Sequence, residues 1–478
     1  MSTAATVQET AVRGRVATWL LFLVCSFLLI TLHPENRFDS DEGVILNGAW
    51  ALLNGLTLYT DFFEFVAPGS FYLVFAAWKL FGAEYLVAKS LGLAAMGGAA
   101  VGVYRTSQLL LMAEHGATRP FALFFGPVLL CLLSVFWTPI NHNTFNIAFV
   151  VWSGFFVTRS ILRRSWIDCS IGGLICGMAT LFLQHRGALL AMTALATLIV
   201  FYARDRDRAW LKTATAFLAG WLAPVSLIFV FWPASLLIEN LIIFPASHYR
   251  EVNRVDSFLL ILIVATFPAM AAWLLRRRSS RAVWFLMSLQ MVFLTLTALQ
   301  RADPSHITAI LFPLLAISPL LLTTVSGSTR VPKYFLVWIC AGLLVLPAQT
   351  IMGVAASYPA SLSQTQHPVL QYVKDHCVGS RYIWVGPFGP GMYYATGKLN
   401  ATRYSMLFTD LNTSSQFLDA AADLESHRPL CAITNYEMVE KFNYNKHNPV
   451  DDYIVGHYSV AYQSGPITVW MVRSAAAP

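Results

Sequence analysis

Apolar runs of about 20 residues, long enough to cross a bilayer as a helix, recur through this sequence. Clear ones occupy 16–32, 121–137, 213–232, 258–275 and 334–347. Composition matters here because it is clustered. Of the 478 residues, 56% are hydrophobic and 12% charged, whereas soluble domains carry about 25% charged residues. Spread evenly, that imbalance would suit one very apolar globule; gathered into runs, it describes a polytopic α-helical membrane protein. The run at 16–32 is long for a cleaved signal and continues into His33-Pro34-Glu35 without a small-residue cleavage site, so it reads as the first membrane helix.

A 20-residue window predicts about eleven spans, near 16–32, 84–105, 119–137, 143–158, 166–183, 187–203, 211–232, 257–275, 282–299, 306–324 and 333–350. The pair around Gln184 reads as two spans or as one broken segment. Alternate loops then separate by charge. One set holds Arg13 and Arg15, Arg119, Arg163 and Arg164, Arg204 to Lys212, Arg276 to Arg281, and Arg330 with Lys333. The other holds only scattered cations. Excess Lys and Arg mark cytoplasmic loops, which places the N-terminus inside and the tail outside, across the cytoplasmic membrane. The net charge of +7 is thus a topology signal, and no nucleic-acid partner is expected.

From about residue 355 the composition becomes that of a soluble domain. Short helices are predicted at 367–376 and 414–427, strands at 381–385 and 430–434, and a hairpin at 458–472 around Ser464-Gly465-Pro466. The expected organisation is therefore a membrane domain over 1–354 and a small extracytoplasmic α/β domain over 355–478. Cys25, Cys131, Cys169, Cys176 and Cys340 fall in spans as small apolar residues. Cys377 and Cys431 lie in the outer domain, where a disulfide is permitted but not specified by the sequence.

Span interiors are nearly free of ionisable residues, unlike a transporter whose substrate crosses mid-membrane. The polar residues crowd instead at predicted outer ends: Asp39, Asp41 and Glu42; Asp61 and Glu64; Asn141, His142 and Asn143; Gln184, His185 and Arg186; His248, Arg250 and Arg254; Arg301, Asp303 and His306. In loop 33–83 an acidic cluster opens a short amphipathic helix at 44–53. A turn-rich segment follows at 55–67, and Pro68 opens an aromatic helix over Gly69–Phe81 suited to the interface. Two interfacial helices around acidic residues make a floor for a site at the membrane surface.

Sugar transfer from a lipid phosphate needs a carboxylate to take the acceptor's proton and cations to hold the departing phosphate. Asp41 is the candidate base. Arg186, Arg301, Arg250 or Arg254 suit the phosphate, because a guanidinium matches its oxygens. Plainer roles stand beside these. Asp39, Asp41 and Glu42 also suit the positive end of a helix, Arg301 and Asp303 a structural pair, His142 and His185 polar loops, and the outer arginines lipid headgroups.

Asp41-Glu42 after the first span, Gly55-Leu56-Thr57-Leu58-Tyr59-Thr60-Asp61 and the helix at Pro68 resemble the first outer loop of GT-C glycosyltransferases. The nearest branch comprises bacterial protein O-mannosyltransferases and the aminoarabinose transferase acting on lipid A. Arg301-Ala302-Asp303-Pro304-Ser305-His306 with Pro313, and Gly397-Lys398-Leu399-Asn400-Ala401-Thr402-Arg403-Tyr404, are similar to later stretches of that branch. The resemblance implies that Asp41 is the base of an inverting displacement on a polyprenyl-phosphate sugar. Glu42 would shape the same site, and Arg186 and Arg301 would bind the donor phosphate. Further substrate contacts are assigned to Asp61, Glu64, His142, Asn143, His185, Arg250, Asp303 and His306. The acceptor is a lipid, glycan or protein. The sequence calls for no cofactor and leaves open a divalent metal near Asp41.

Two departures stand out. Relatives often carry His-Pro or Lys-Pro where Val66-Ala67-Pro68 stands, and an acidic residue where Asn141-His142-Asn143 stands. A lipid-linked glycan ligase or polymerase would also use outer arginines, but without a carboxylate base after the first span. A flippase would need a polar path through the bundle.

Overall fold

The computed structural model describes residues 2–33, 41–116, 120–136, 138–249, 268, 270–276, 280–300, 311–324 and 367–473. The chain is mostly helical. Helix α1 covers Ser2–Leu32, α2 Asp41–Leu53, α3 Gly69–Phe81, α4 Tyr85–His115 and α5 Pro120–Leu133. These are followed by α6 His142–Arg163, α7 Trp166–Phe182, α8 Gln184–Asp205 and α9 Arg208–Phe231. Among the described residues α4, α6, α8 and α9 are long and apolar enough to cross a membrane, and shorter apolar helices cover Val16–Leu32, Leu123–Phe136, α7, Arg281–Phe293 and Phe312–Leu322. Each falls on a predicted span. The run at 333–350 and most of 257–275 lie outside the described residues.

The chain gathers into two compact units. The first takes in the described parts of Met1–His33, Ser90–Phe231 and Arg254–Ala356; the second those of Pro34–Lys89, Trp232–Asn253 and Ser357–Pro478.

In the first unit, α7 and α9 approach closely through glycine. A Cβ on Gly173 would meet the Phe217 backbone, and one on Gly220 the Ser170 carbonyl. Small residues of this kind let helices in lipid pack through van der Waals contact. The segment around Gln184 resolves into two helices. Leu183 is extended (φ −150°, ψ 97°), so α7 ends and α8 begins within one residue. Gly187 then packs on Thr180, and Cys176 Sγ donates to the Gly187 carbonyl at 3.3 Å. At the other end of α7, Asp168 is held by the Arg159 guanidinium through Nε and Nη2, so a half-buried cation neutralises the carboxylate.

In the second unit, α2 is more deeply buried than an amphipathic surface helix. Nine of its residues are buried, from Glu42 to Ala51. The reason lies in its sequence, which is apolar on nearly every face after Glu42, and α3 covers it where Gly48 meets the Phe71 ring. Helix α3 stops at Gly82, whose φ of 92° suits glycine. Its C-terminal Leu80 and Phe81 are 76% and 73% exposed.

The tail forms a five-stranded sheet of order β2-β1-β3-β5-β4, with β1 Tyr382–Gly386, β2 Leu399–Asn400, β3 Cys431–Asn435, β4 Tyr458–Ser464 and β5 Ile467–Val472. The strands β2, β1 and β3 run parallel, and β5 and β4 complete the antiparallel edge. Helix Pro368–His376 covers one face through Val369 and Val373, and Ser414–His427 covers the other through Phe417 and Leu424. The 414–427 helix, the 430–434 strand and the hairpin fall where the sequence predicts them. Helices Gly391–Thr396 and Pro449–His457 were not expected. Cys377 and Cys431 are disulfide-bonded.

Candidate functional site

The acidic loop lies within the second unit. Asp41 opens α2 and is exposed, while Glu42 beside it is buried. Both carboxylates sit in the first turn, where the uncompensated N–H groups favour negative charge. Glu42 Oε2 accepts from the Tyr85 hydroxyl at 2.6 Å. One turn on, the buried Lys89 ammonium lies 5.8 Å from the Tyr85 ring. Tyr85 and Lys89 were missed in the sequence. The signal was there: a lysine near the start of an otherwise apolar span, four residues after a tyrosine.

Asp61 and Glu64 have different surroundings. The exposed Asp61 closes its own turn, its Oδ2 accepting from Thr57 N at 2.7 Å and its backbone N donating to the Thr57 carbonyl at 2.8 Å. Glu64 is 1% exposed, and its Oε1 accepts from the Ser405 hydroxyl at 2.7 Å. Phe63 N donates to the Arg403 carbonyl at 2.8 Å beside it. Rings of Phe63, Phe65, Phe244 and Tyr249 pack edge-on and tilted around this junction. Glu64 thus ties the loop to the tail sheet.

Burial pushes the Glu64 carboxyl from 4.5 up to about 8, against the lowering effect of its Ser405 hydrogen bond. Below pH 4.5 both folded and unfolded chains hold this proton. Between 4.5 and about 8 only the unfolded chain releases it, so stability falls as pH rises through that window. Glu64→Gln, an isostere of the protonated acid, is expected to flatten this slope. The variant should gain a few kcal/mol over wild type near pH 8 and almost nothing near pH 5, read by thermal unfolding at a series of pH values.

The first unit holds the predicted groups Asn141 to Asn143 and Gln184 to Arg186, whereas His248 lies in the second. Asn141 caps α6, its Oδ1 accepting from Asn143 N at 2.8 Å. This is why Asn, a good capping residue, precedes the apolar helix. His142 is half-buried and Asn143 buried. The turn at Leu183 sets Gln184, His185 and Arg186 in the first turn of α8, with His185 exposed and Arg186 only 3% exposed. Arg250, Arg254, Arg301, Asp303 and His306, with Asp39, lie outside the described residues. Among the described residues no group of three His, Cys, Asp or Glu side chains gathers to hold a metal ion. Asp41 and Glu42 alone do not make such a site, so no step is derived through a metal.

The architecture is a GT-C-like fold. It matches ArnT from Cupriavidus metallidurans bound to undecaprenyl phosphate with a TM-score of 0.59 at 13% identity, covering 98% of this chain and 100% of that one. The apo state of the same protein gives 0.57 at 12% identity, covering 96% and 98%. The mycobacterial arabinofuranosyltransferase AftD gives 0.50 at 14% identity, covering 96% of this chain and 42% of that one. No protein-family model and no curated protein matches the sequence.

Proposed function

We propose that this protein is a membrane glycosyltransferase that moves a sugar from a polyprenyl-phosphate donor to an acceptor outside the cytoplasm. The observation that carries the reading is the pair Asp41-Glu42 opening α2, directly after the first apolar helix of a GT-C-like fold. The ArnT structure it resembles is bound to undecaprenyl phosphate, which supports a lipid phosphate as donor. The Cys377–Cys431 disulfide supports an oxidising compartment for the tail.

In this reading Asp41 accepts the proton of the acceptor nucleophile as that atom attacks the anomeric carbon. The bond from that carbon to the phosphate oxygen breaks on the opposite face, inverting the centre, and polyprenyl phosphate leaves as the anion. Exposure suits Asp41 to this task, because a base must reach its substrate. Glu42, turned inward onto Tyr85, positions the helix start. Arg186 and Arg301 hold the phosphate. Arg186→Gln is expected to raise the donor KM by about 10–100-fold, as loss of charge-assisted hydrogen bonds does. Arg186→Lys should restore only part, since the ammonium lacks the planar fork. Steady-state kinetics against donor concentration checks both.

The deciding experiment supplies purified protein in lipid with radiolabelled polyprenyl-phosphate sugars and a membrane extract. Label passing to a new product supports the transferase. Labelled lipid that only changes leaflet would replace it with a flippase.

A further inference from the structure

Among the described residues two buried carboxamide oxygens on α6, Asn143 Oδ1 and Asn146 Oδ1, have no hydrogen-bond partner. The residues are 6% and 0% exposed. Their nitrogens are already committed. Asn143 Nδ2 donates to Asn141 Oδ1 at 3.0 Å, and Asn146 Nδ2 donates to the Ala179 carbonyl at 2.7 Å. Flipping either amide would set oxygen against oxygen, because Asn141 Oδ1 is itself fixed as acceptor of the Asn143 backbone N–H. The two orphan acceptors are therefore determined by their neighbours. Three residues apart, the side chains are neighbours on one helix face.

A buried acceptor left unmade forfeits its hydration with nothing in return, and native proteins rarely keep one without a use. Here two lie together. Their position is informative as well. The Ala179 carbonyl that receives Asn146 also receives Leu183 N at 3.0 Å, so Asn146 pins the turn that delivers Arg186 three residues later. Two neutral acceptors call for donors. A phosphate brings only acceptor oxygens, and a neutral amide pair gives a cation no countercharge. Hydroxyl groups fit.

We propose that Asn143 and Asn146 form a hydroxyl-binding subsite for the sugar carried by the lipid donor. The proposal rests on the transferase reading and adds the part of the donor that these residues select. A site built to hydrogen-bond a hydroxyl rejects an analogue without it, because the acceptors are then stranded.

The test measures binding of undecaprenyl phosphate, and of its mannosyl, glucosyl and arabinosyl derivatives, to the full chain in nanodiscs. Wild type is expected to bind at least one glycosylated lipid tenfold or more tighter than the bare lipid. Asn143→Leu, close in shape, should cut that preference about tenfold while leaving bare-lipid affinity within twofold. Asn146→Leu, which also releases the turn before Arg186, should cut the preference about tenfold and weaken bare-lipid binding as well. An unchanged preference in both Leu variants overturns the subsite, and so does a wild type that binds every lipid equally. A wild type that binds none of the lipids removes the transferase reading itself. Deoxy-sugar donors applied to wild type give the same answer without mutation. One deoxy position should cost tenfold or more, and a series in which none costs over twofold overturns the proposal.

Discussion

Asp41→Asn should leave a folded protein that binds donor and transfers almost no sugar. The substitution is nearly isosteric, and Asp41 is exposed at the first turn of α2, so its cost to the fold is confined to a weaker helix-end interaction of well under 1 kcal/mol. The cost to chemistry is far larger. A positioned general base contributes about 10²–10⁴-fold, and an amide cannot take the proton. The expected pattern is kcat lowered by at least 100-fold with donor affinity within about threefold, a signature of an interaction made in the transition state. Glu42→Gln gives the contrast. Glu42 is buried against Tyr85, so its loss should show first as a lower melting temperature. Equal transfer by wild type and Asp41→Asn would remove Asp41 from the mechanism and favour a ligase that works through cations alone.

Loss of the Cys377–Cys431 bridge should destabilise the second unit by about 4 kcal/mol. The two cysteines are separated by 54 positions, and closing a loop of that size restricts the unfolded chain by roughly this amount. Both residues are fully buried in the core beneath helix Pro368–His376, beside Val373, Ile383 and Ile433. The bridge thus joins that helix to the central strand β3. Cys377→Ser with Cys431→Ser, or wild type under reductant, should lower the unfolding midpoint by the same amount in differential scanning fluorimetry. Reductant should then have no further effect on the double variant. A midpoint unmoved by either treatment would mean that the hydrophobic core carries this segment unaided.

Local patterns were readable in the sequence, and nonlocal ones were not. The apolar runs, the helix opening at Pro68 and the hairpin at Ser464-Gly465-Pro466 are each written in consecutive residues, and the structure reproduces them. Helix Gly391–Thr396 is too short to show a period, and β2 has only two residues. Partner choice was equally hidden. Nothing near Glu64 points to Ser405, 341 positions away, and although the sequence leaves Cys377 and Cys431 as the two cysteines outside the spans, it does not bring them within bonding distance. The site shows the same limit. Asp41 and Arg186 announce themselves as charges after apolar runs. Asn146 looks like one more polar residue within a span, and only its neighbours reveal which of its atoms has no partner.

The second compact unit has a consequence for synthesis. Its pieces come from Pro34–Lys89, Trp232–Asn253 and Ser357–Pro478. Trp50 Nε1 donates to the Lys398 carbonyl, Tyr394 OH to that of Ala83 and Trp232 Nε1 to that of Leu58. A ribosome emits residues at about 5–20 per second, so the acidic loop must wait tens of seconds for the polypeptide that will cover it. During that interval Phe63 and Phe65 have no tail to pack against, and the nascent protein presents an adhesive aromatic surface. A chaperone that binds aromatic surface would find its opportunity there, and a ribosome stalled before codon 357 would leave a product marked for proteolysis.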